Sequence, residues 1–294
     1  MLFQQLLNGL GIGCTYALIA LGYNLTFGVL KIVNLAYGEV FMAGAFAGLW
    51  CSILVPGNSA MIISVSILGS VITGLAVHIL AVRPLGDVAD LDSPRHLSVI
   101  VSTMGCSLIL QNVALKIFGG YPRRFPRVIP DWFFRIAGTR VDLTIFINLS
   151  IALIVMVLLS LLLRRTKIGL RIRALSENRE LAVSSGIRAG TDETITVIIS
   201  SALAGVAAIL ILQLIGTVSP YVGLSYGFKG LVVLIVGGLG NMSGAVLIAL
   251  LLGMSEVLTV AYVSSGYRDA VAFTVLVTLL IVREYRRRLS SAYS

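Results

Sequence analysis

Apolar stretches long enough to cross a lipid bilayer recur along this chain, and that repetition constrains its fold more than any motif does. About 20 residues rising 1.5 Å each traverse the hydrocarbon core. Such stretches are read at about 4–27, 33–54, 60–82, 97–118, 143–163, 192–215, 225–239, 243–263 and 267–283, the seventh being short. The expected fold class is an all-α integral membrane protein, a polytopic helical bundle of about 8–9 spans with interrupted helices. Composition agrees: 57% of residues are hydrophobic and 12% charged, against about 25% charged in soluble domains. A water-soluble enzyme and a nucleic-acid-binding module are thereby excluded.

The first stretch, from Leu6 to Phe27, has no Lys or Arg ahead of it, so it lacks the charged n-region of a cleavable signal peptide and is read as a retained span. Cys14, Cys51 and Cys106 are odd in number and sit within or at the ends of apolar runs, which argues against a disulfide framework or a metal site.

Basic residues set the expected orientation, because Lys- and Arg-rich loops are retained in the cytoplasm. With the N-terminus outside and the C-terminus cytoplasmic, the inner segments hold Lys31, Arg83, Arg95, Arg164, Arg165, Lys167, Arg171, Arg173, Arg179, Arg188, Arg283, Arg286, Arg287 and Arg288, which is 14 of the 22 basic residues. The segment from Gly119 to Asp142 runs against this pattern, with Arg123, Arg124, Arg127, Arg135 and Arg140 on the outer face. Its three prolines and the triplet Trp132, Phe133 and Phe134 suit an element lying at the headgroups better than they suit the alternative, a docking surface for an external partner.

Catalytic apparatus is missing from the pattern. There are two histidines, His78 and His96, and no Cys/His cluster, nucleophile elbow or phosphate-cradling G-x-x-x-x-G-K-[ST] loop. His78, close to the end of its span, is read as a satisfied interfacial residue. If ATP powers the protein, another chain binds it. The glycine-rich segment with Gly237, Gly238, Gly240 and Gly244 instead marks a helix break, and Gly216 through Gly223, containing Ser219, Pro220 and Tyr221, marks a second. Freed amides and carbonyls at such breaks can bind polar solute groups, or the breaks can be plain loops between spans.

Polar residues inside apolar runs are few. An acid at the bilayer centre costs about 2.5–3.5 kcal/mol on insertion scales, so Glu39, after Asn34 and Tyr37, and Glu256 are candidates for a translocation path. Each is equally compatible with capping a helix or bonding a neighbouring helix. Asn8, Tyr16, Asn24, Gln111, Asn112 and Gln213 fit interhelical hydrogen bonding first. The small-residue runs at 9–13 and 44–48 fit close helix packing.

The most informative polar segment is the loop at 164–190. Ser176, Glu177, Asn178, Arg179, Glu180, Leu181, Ala182 and Val183 read as a short helix, with Ser176 as its cap, acids in its first turn and Gly186 ending it. A short charged helix held between two spans is suited to transmitting movement from a cytoplasmic partner.

Glu180 through Gly186 resembles the E-A-A-x-x-x-G signature of ABC importer permeases, with Leu181 in place of the second Ala. Asn8-Gly9, then Thr15 through Tyr23, Asn34 through Glu39, Gly169 through Ile187, and Gly230 through Gly240 with Gly244-Ala245 extend the likeness over nearly the whole chain. It resembles the branched-chain amino-acid ABC transporter permease family, specifically the first of its two permease subunits. Tyr37 stands where many members carry His, and the Arg283–Arg288 tail lacks the family's proline-glycine ending.

The resemblance implies a single transmembrane permease domain over 1–294, with the loop at 164–190 coupling to ATPases through Ser176, Glu177, Arg179, Glu180, Ala182 and Gly186. It implies a bacterial inner-membrane assembly with a second, homologous permease, two ATPase subunits and a periplasmic binding protein. ATP and Mg would sit on the partner ATPases, with no cofactor on this chain. Branched-chain or related small amino acids are the expected solutes; urea or small amides, or a stand-alone channel or secondary transporter, are the alternatives.

Overall fold

A computed structural model describes residues 2–85, 94–125, 133–136 and 139–267, together with Ala270, Phe273, Thr274, Val277, Thr278 and Ile281. Helix α1 (Leu2–Leu30) is followed by α2 (Tyr37–Leu54) and α3 (Ser59–Val77), which continues through a π turn at His78–Val82 and a 3-10 turn at Arg83–Leu85. Then come α4 (Pro94–Phe118), strands β1 (Arg123–Arg124), β2 (Phe133–Ile136) and β3 (Thr139–Asp142), and helix α5 (Leu143–Arg165). The loop at 164–190 forms α6 (Lys167–Glu177) and α7 (Arg179–Ser184); α8 (Ala189–Ile215), β4 (Thr217–Val218), α9 (Val222–Gly237) and α10 (Met242–Tyr262) follow.

Seven of these helices are long and apolar enough to cross a membrane, and α9 is a shorter apolar helix. Its 16 residues rise about 24 Å, less than the roughly 30 Å hydrocarbon core. The expected last span, 267–283, lies largely outside the described residues, although Ala270, Phe273, Thr274, Val277, Thr278 and Ile281 are helical. Trp132, Arg127 and the Arg283–Arg288 tail are also outside them.

Helix boundaries follow from local side chains. Asn58, Thr166, Asn178 and Asn241 each accept a hydrogen bond from a backbone N–H three residues on, at 3.0–3.1 Å, which satisfies one orphan donor at the start of α3, α6, α7 and α10.

Helix α1 is the centre of the bundle, packing on α5, α6, α8, α9 and α10, while α2 packs on α3, α4, α8 and α9. Association in lipid depends on close packing rather than on exclusion of water, and the closest contact is glycine-based. A Cβ on Gly13 would lie 2.8 Å from the Leu250 Cα, and one on Gly253 would collide with the Gly13 backbone. The outer helices differ. Leu97, Val101 and Met104 of α4 and Ile154, Val157 and Leu158 of α5 are exposed, apolar surface that suits lipid tails.

A Gly13→Leu substitution therefore forces α1 from α10 and is expected to abolish recovery of monodisperse protein in mild detergent. Gly105→Leu, at a position with no atom within 4 Å of an added Cβ, should leave size-exclusion profiles unchanged. Equal behaviour of the two would remove the packing argument.

In the expected headgroup element around 119–142, the described backbone is held by strand pairing. Arg123–Arg124 pairs antiparallel with Thr217–Val218, the Phe125 N–H donates to the Gly216 carbonyl at 3.0 Å, and β2 pairs with β3 in a second two-stranded sheet. Backbone groups freed where α4 and α8 end thus find partners in each other.

Candidate functional site: a helical elbow and a buried ion pair

The helix read from sequence at 176–183 is two helices meeting at Asn178. Ser176 is not its cap; Ser176 belongs to the last turn of α6, where its hydroxyl donates to the Ile172 carbonyl at 2.9 Å. Asn178 has extended backbone (φ −150°, ψ 108°), closes α6 and caps α7 through the Leu181 N–H. The physical reason is that an N-cap residue must leave helical dihedrals, which Asn178 does and Ser176 does not. Gly186 ends α7 with φ 89°. The Ile187 N–H reaches back to the Ala182 carbonyl at 3.1 Å and the Gly186 N–H to Val183 at 2.9 Å, the paired bonds of a Schellman ending.

Three polar contacts tie this elbow to the bundle. Arg179 Nη2 lies 2.9 Å from Glu193 Oε1 and Arg171 Nε 3.0 Å from Asp192 Oδ1, so both short helices grip the first turns of α8. Lys31 Nζ donates to the Ser176 carbonyl at 2.6 Å, joining the end of α6 to the end of α1. Lys31 itself has φ 55°. A crevice of about 570 Å³ opens between these parts, lined by Lys31, His78, Glu177, Arg179, Glu180 and Glu193 among others. His78, read as a satisfied interfacial residue, is buried at the start of the π turn and lines this crevice, and its Nδ1 has no hydrogen-bond partner among the described residues. Ala182 is buried, whereas Glu177, Glu180, Leu181 and Val183 are exposed. Helix α7 thus presents a mixed apolar and acidic surface away from the bundle.

Within the membrane-spanning part, Glu256 of α10 is fully buried in a three-helix contact. Its Oε1 lies 3.0 Å from Lys229 Nζ of α9, and its Oε2 accepts from the Tyr16 hydroxyl of α1 at 2.7 Å. The rings of Tyr16 and Tyr226 lie 5.6 Å from the ammonium, within cation–π range. Lys229 is the partner that sequence reasoning missed. It is the sole Lys or Arg between Arg188 and Arg268, a signal sufficient to nominate it as the mate of an intramembrane acid.

The other candidates separate. Glu39 sits in the first turn of α2, where the helix dipole favours an acid. Ser107 donates to its Oε1 at 3.4 Å, and its Oε2 has no hydrogen-bond partner among the described residues. It faces a crevice of about 110 Å³ between α2, α4 and α9. Tyr37 donates to the Ser200 carbonyl of α8 at 2.6 Å and packs against Tyr23 at 4.4 Å. The Asn34 side chain accepts from the Ala36 N–H in the turn before α2. Gln111 is half-buried on α4, and Asn112 donates to the Leu108 carbonyl of its own helix.

Both helix breaks lie at helix ends. At the first, Gly216 is the left-handed cap of α8 (φ 75°), Pro220 is buried, the Ser219 carbonyl accepts from Val222 N–H, and Tyr221 is exposed. At the second, Gly237 ends α9, Gly238 (φ 104°) and Gly240 (φ 81°) turn the chain, and Gly244 packs directly on the Gly237 carbonyl. A crevice near that turn also contains Lys31, Arg164 and Arg173, so the second break lies at the basic end of the bundle, with the elbow of α6 and α7.

A polytopic helical bundle with a charged helical elbow gripping two of its spans is the architecture of a membrane permease subunit. The description "Branched-chain amino acid transport system / permease component" matches residues 5–281, and the chain belongs to that family. It is 30% identical over 294 residues to the high-affinity branched-chain amino acid transport system permease protein LivH of Salmonella typhimurium, covering 95% of this chain and 92% of that protein. It is likewise 30% identical over 292 residues to BraD of Pseudomonas aeruginosa, described in the same words, with 95% and 93% covered. Among solved structures, a chain of PsaBC from Streptococcus pneumoniae in complex with Fab superposes with a TM-score of 0.51 at 10% identity, over 92% of this chain and 89% of that one; this likeness concerns the fold alone.

Proposed function

We propose that this chain is the transmembrane permease subunit of an ATP-binding-cassette importer that carries branched-chain or related small amino acids across the bacterial inner membrane. Its partners are a second, homologous permease, two ATPase subunits that bind ATP and Mg, and a periplasmic binding protein. The N-terminus is outside and the C-terminus cytoplasmic, in keeping with the distribution of basic residues.

The observation that carries this reading, beside family membership, is the elbow of α6 and α7 clamped to both α1 and α8. Displacement of α7 by a closing ATPase dimer would be passed through Arg179 and Glu193 to α8, and through Ser176 and Lys31 to α1. Helix α1 also carries Tyr16, bonded to Glu256, so the same movement reaches the buried contact with α9 and α10. The scarcity of uncompensated intramembrane charge suits a solute of zero net charge.

The test is copurification of the tagged chain from its native membrane, followed by uptake of labelled leucine and urea into vesicles holding what is recovered. Two ATPases, a second permease and ATP-dependent leucine uptake are expected; recovery of the chain alone with ATP-independent transport refutes the reading. A Gly186→Val variant should insert normally yet lose uptake, because a β-branched residue at φ 89° costs about 1–2 kcal/mol or more and unwinds the α7 ending. Normal uptake by that variant would remove α7 from the coupling path.

A further inference from the structure

A cavity of about 620 Å³ lies between α1, α5, α8, α9 and α10, at the end of the bundle opposite the coupling elbow. Its volume is within the usual range for small-molecule sites, roughly 300–1,000 Å³. Its lining is split in character. Asn8 and Thr15 of α1, Thr144 of α5, Gln213 of α8 and Tyr226 of α9 bring amide and hydroxyl groups from four helices. Ile12, Ile145, Ile211 and Leu214 supply an aliphatic wall. Among the described residues, no Asp, Glu, Lys or Arg lines it, yet Tyr226 shares the cavity wall with its ring 5.6 Å from Lys229 Nζ, whose partner is Glu256. The carbonyl oxygen of Asn8 is shielded from solvent and has no hydrogen-bond partner among the described residues. A shielded amide oxygen without a partner costs free energy unless a donor reaches it.

We infer that this cavity is a transit site for the solute itself, a small net-neutral molecule with an ammonium or amide donor at one end and an aliphatic group at the other. The inference rests on the proposed function and deepens it. Rotation of the Asn8 side chain turns its shielded oxygen toward the ammonium, the polar end is surrounded by Thr15, Thr144 and Gln213, and the aliphatic part lies on the isoleucine and leucine wall. A buried, internally neutralised Lys229–Glu256 pair behind Tyr226 offers both signs of field without capturing a net charge, which suits a zwitterion that must leave as readily as it enters. Asn8 and Thr15 ride on α1, whose other end is bonded to the coupling elbow through Lys31. Movement of α1 therefore alters this site directly.

The experiment uses the copurified complex in vesicles, with labelled leucine and labelled phenylalanine as probes and ATP hydrolysis measured alongside. Asn8→Leu and Gln213→Leu are expected to lower leucine uptake about tenfold or more, as loss of a hydrogen-bonding site for a polar group does, with ATP hydrolysis retained. Leu214→Ala, which enlarges the aliphatic wall, is expected to raise the phenylalanine-to-leucine uptake ratio several-fold, about the effect of methylene-scale changes in a pocket. Unchanged uptake and an unchanged ratio in these variants, with an active wild type, overturn the site and leave the proposed function standing. Parallel loss of uptake and ATP hydrolysis, without a change in the ratio for Leu214→Ala, also overturns it, because the residues would then be structural. A wild-type complex that hydrolyses ATP but takes up neither amino acid overturns the proposed function, and the transit site with it.

Discussion

Lys229→Met is expected to lower the yield of folded protein more than any other single substitution among the polar residues of the bundle. Glu256 is wholly buried and Lys229 nearly so, and the pair stands at 3.0 Å. Removing the ammonium leaves a carboxylate without its counter-charge in a low-dielectric interior, and breaking one side of such a pair costs about 3–5 kcal/mol. Replacing both members by apolar residues of similar volume removes the uncompensated charge along with the attraction. Lys229→Met with Glu256→Leu is therefore expected to recover most of the lost stability. Tyr16→Phe should cost much less, about 0.6 kcal/mol and at most about 1.7, the measured scale for hydrogen bonds between membrane helices. Unfolding titrations in mixed micelles give the comparison. A double variant as unstable as the single one would show that the residues matter through separate contacts rather than as a pair.

This contact also shows where sequence reading succeeds and where it stops. An acid inside an apolar run announces itself, because its insertion cost demands a reason; Glu256 and Glu39 were visible for that reason. What the acid does depends on which helix faces it. Lys229 lies 27 positions from Glu256 on the neighbouring helix, and no periodicity within one helix encodes that meeting. Glu39 had the same sequence signature, and among the described residues its carboxylate has a hydrogen bond from Ser107 but no basic partner, so two similar letters have different environments. Tyr37 likewise reads as a polar residue beside an acid, but its hydroxyl is spent on the Ser200 carbonyl 163 positions away.

The spans were legible because a bilayer forces them: length and apolarity are properties of one segment at a time. Segment-local chemistry was legible too, as at Gly186, where a glycine after a short helix signals the left-handed ending that φ 89° realises. The cap of α7 was assigned two residues early because Ser176 and Asn178 are both good capping types, and the difference is settled by α6. That helix runs unbroken to Glu177 on its own amphipathic packing, with Ile172 and Leu175 buried, and absorbs Ser176. The pairing of Arg123–Arg124 with Thr217–Val218 was not legible, since it joins loops about 90 positions apart whose residues carry no strand pattern.

Reversing the charges of Arg179 and Glu193 is expected to restore transport that either single reversal removes. In the elbow, Arg179 Nε and Nη2 both donate to Glu193 Oε1, at 3.2 and 2.9 Å, with side chains 23% and 15% exposed. Arg179→Glu sets two carboxylates against each other at the junction of α7 and α8, so α7 should swing away from α8 while the spans stay folded. Coupling free energies of 1–3 kcal/mol correspond to about 5–150-fold, and uptake is expected to fall roughly tenfold while ATP hydrolysis by the proposed partner subunits changes far less. Glu193→Arg alone should behave similarly. With both substitutions the ion pair is rebuilt in reverse, and uptake should return to near wild-type levels. Partial exposure makes part of the effect sensitive to salt, so the single-variant defects should narrow as ionic strength rises. Loss of ATP hydrolysis together with uptake in the single variants would place Arg179 in ATPase docking. Failure of the double reversal to rescue, with the complex intact, would show that movement reaches α8 by a route other than this pair.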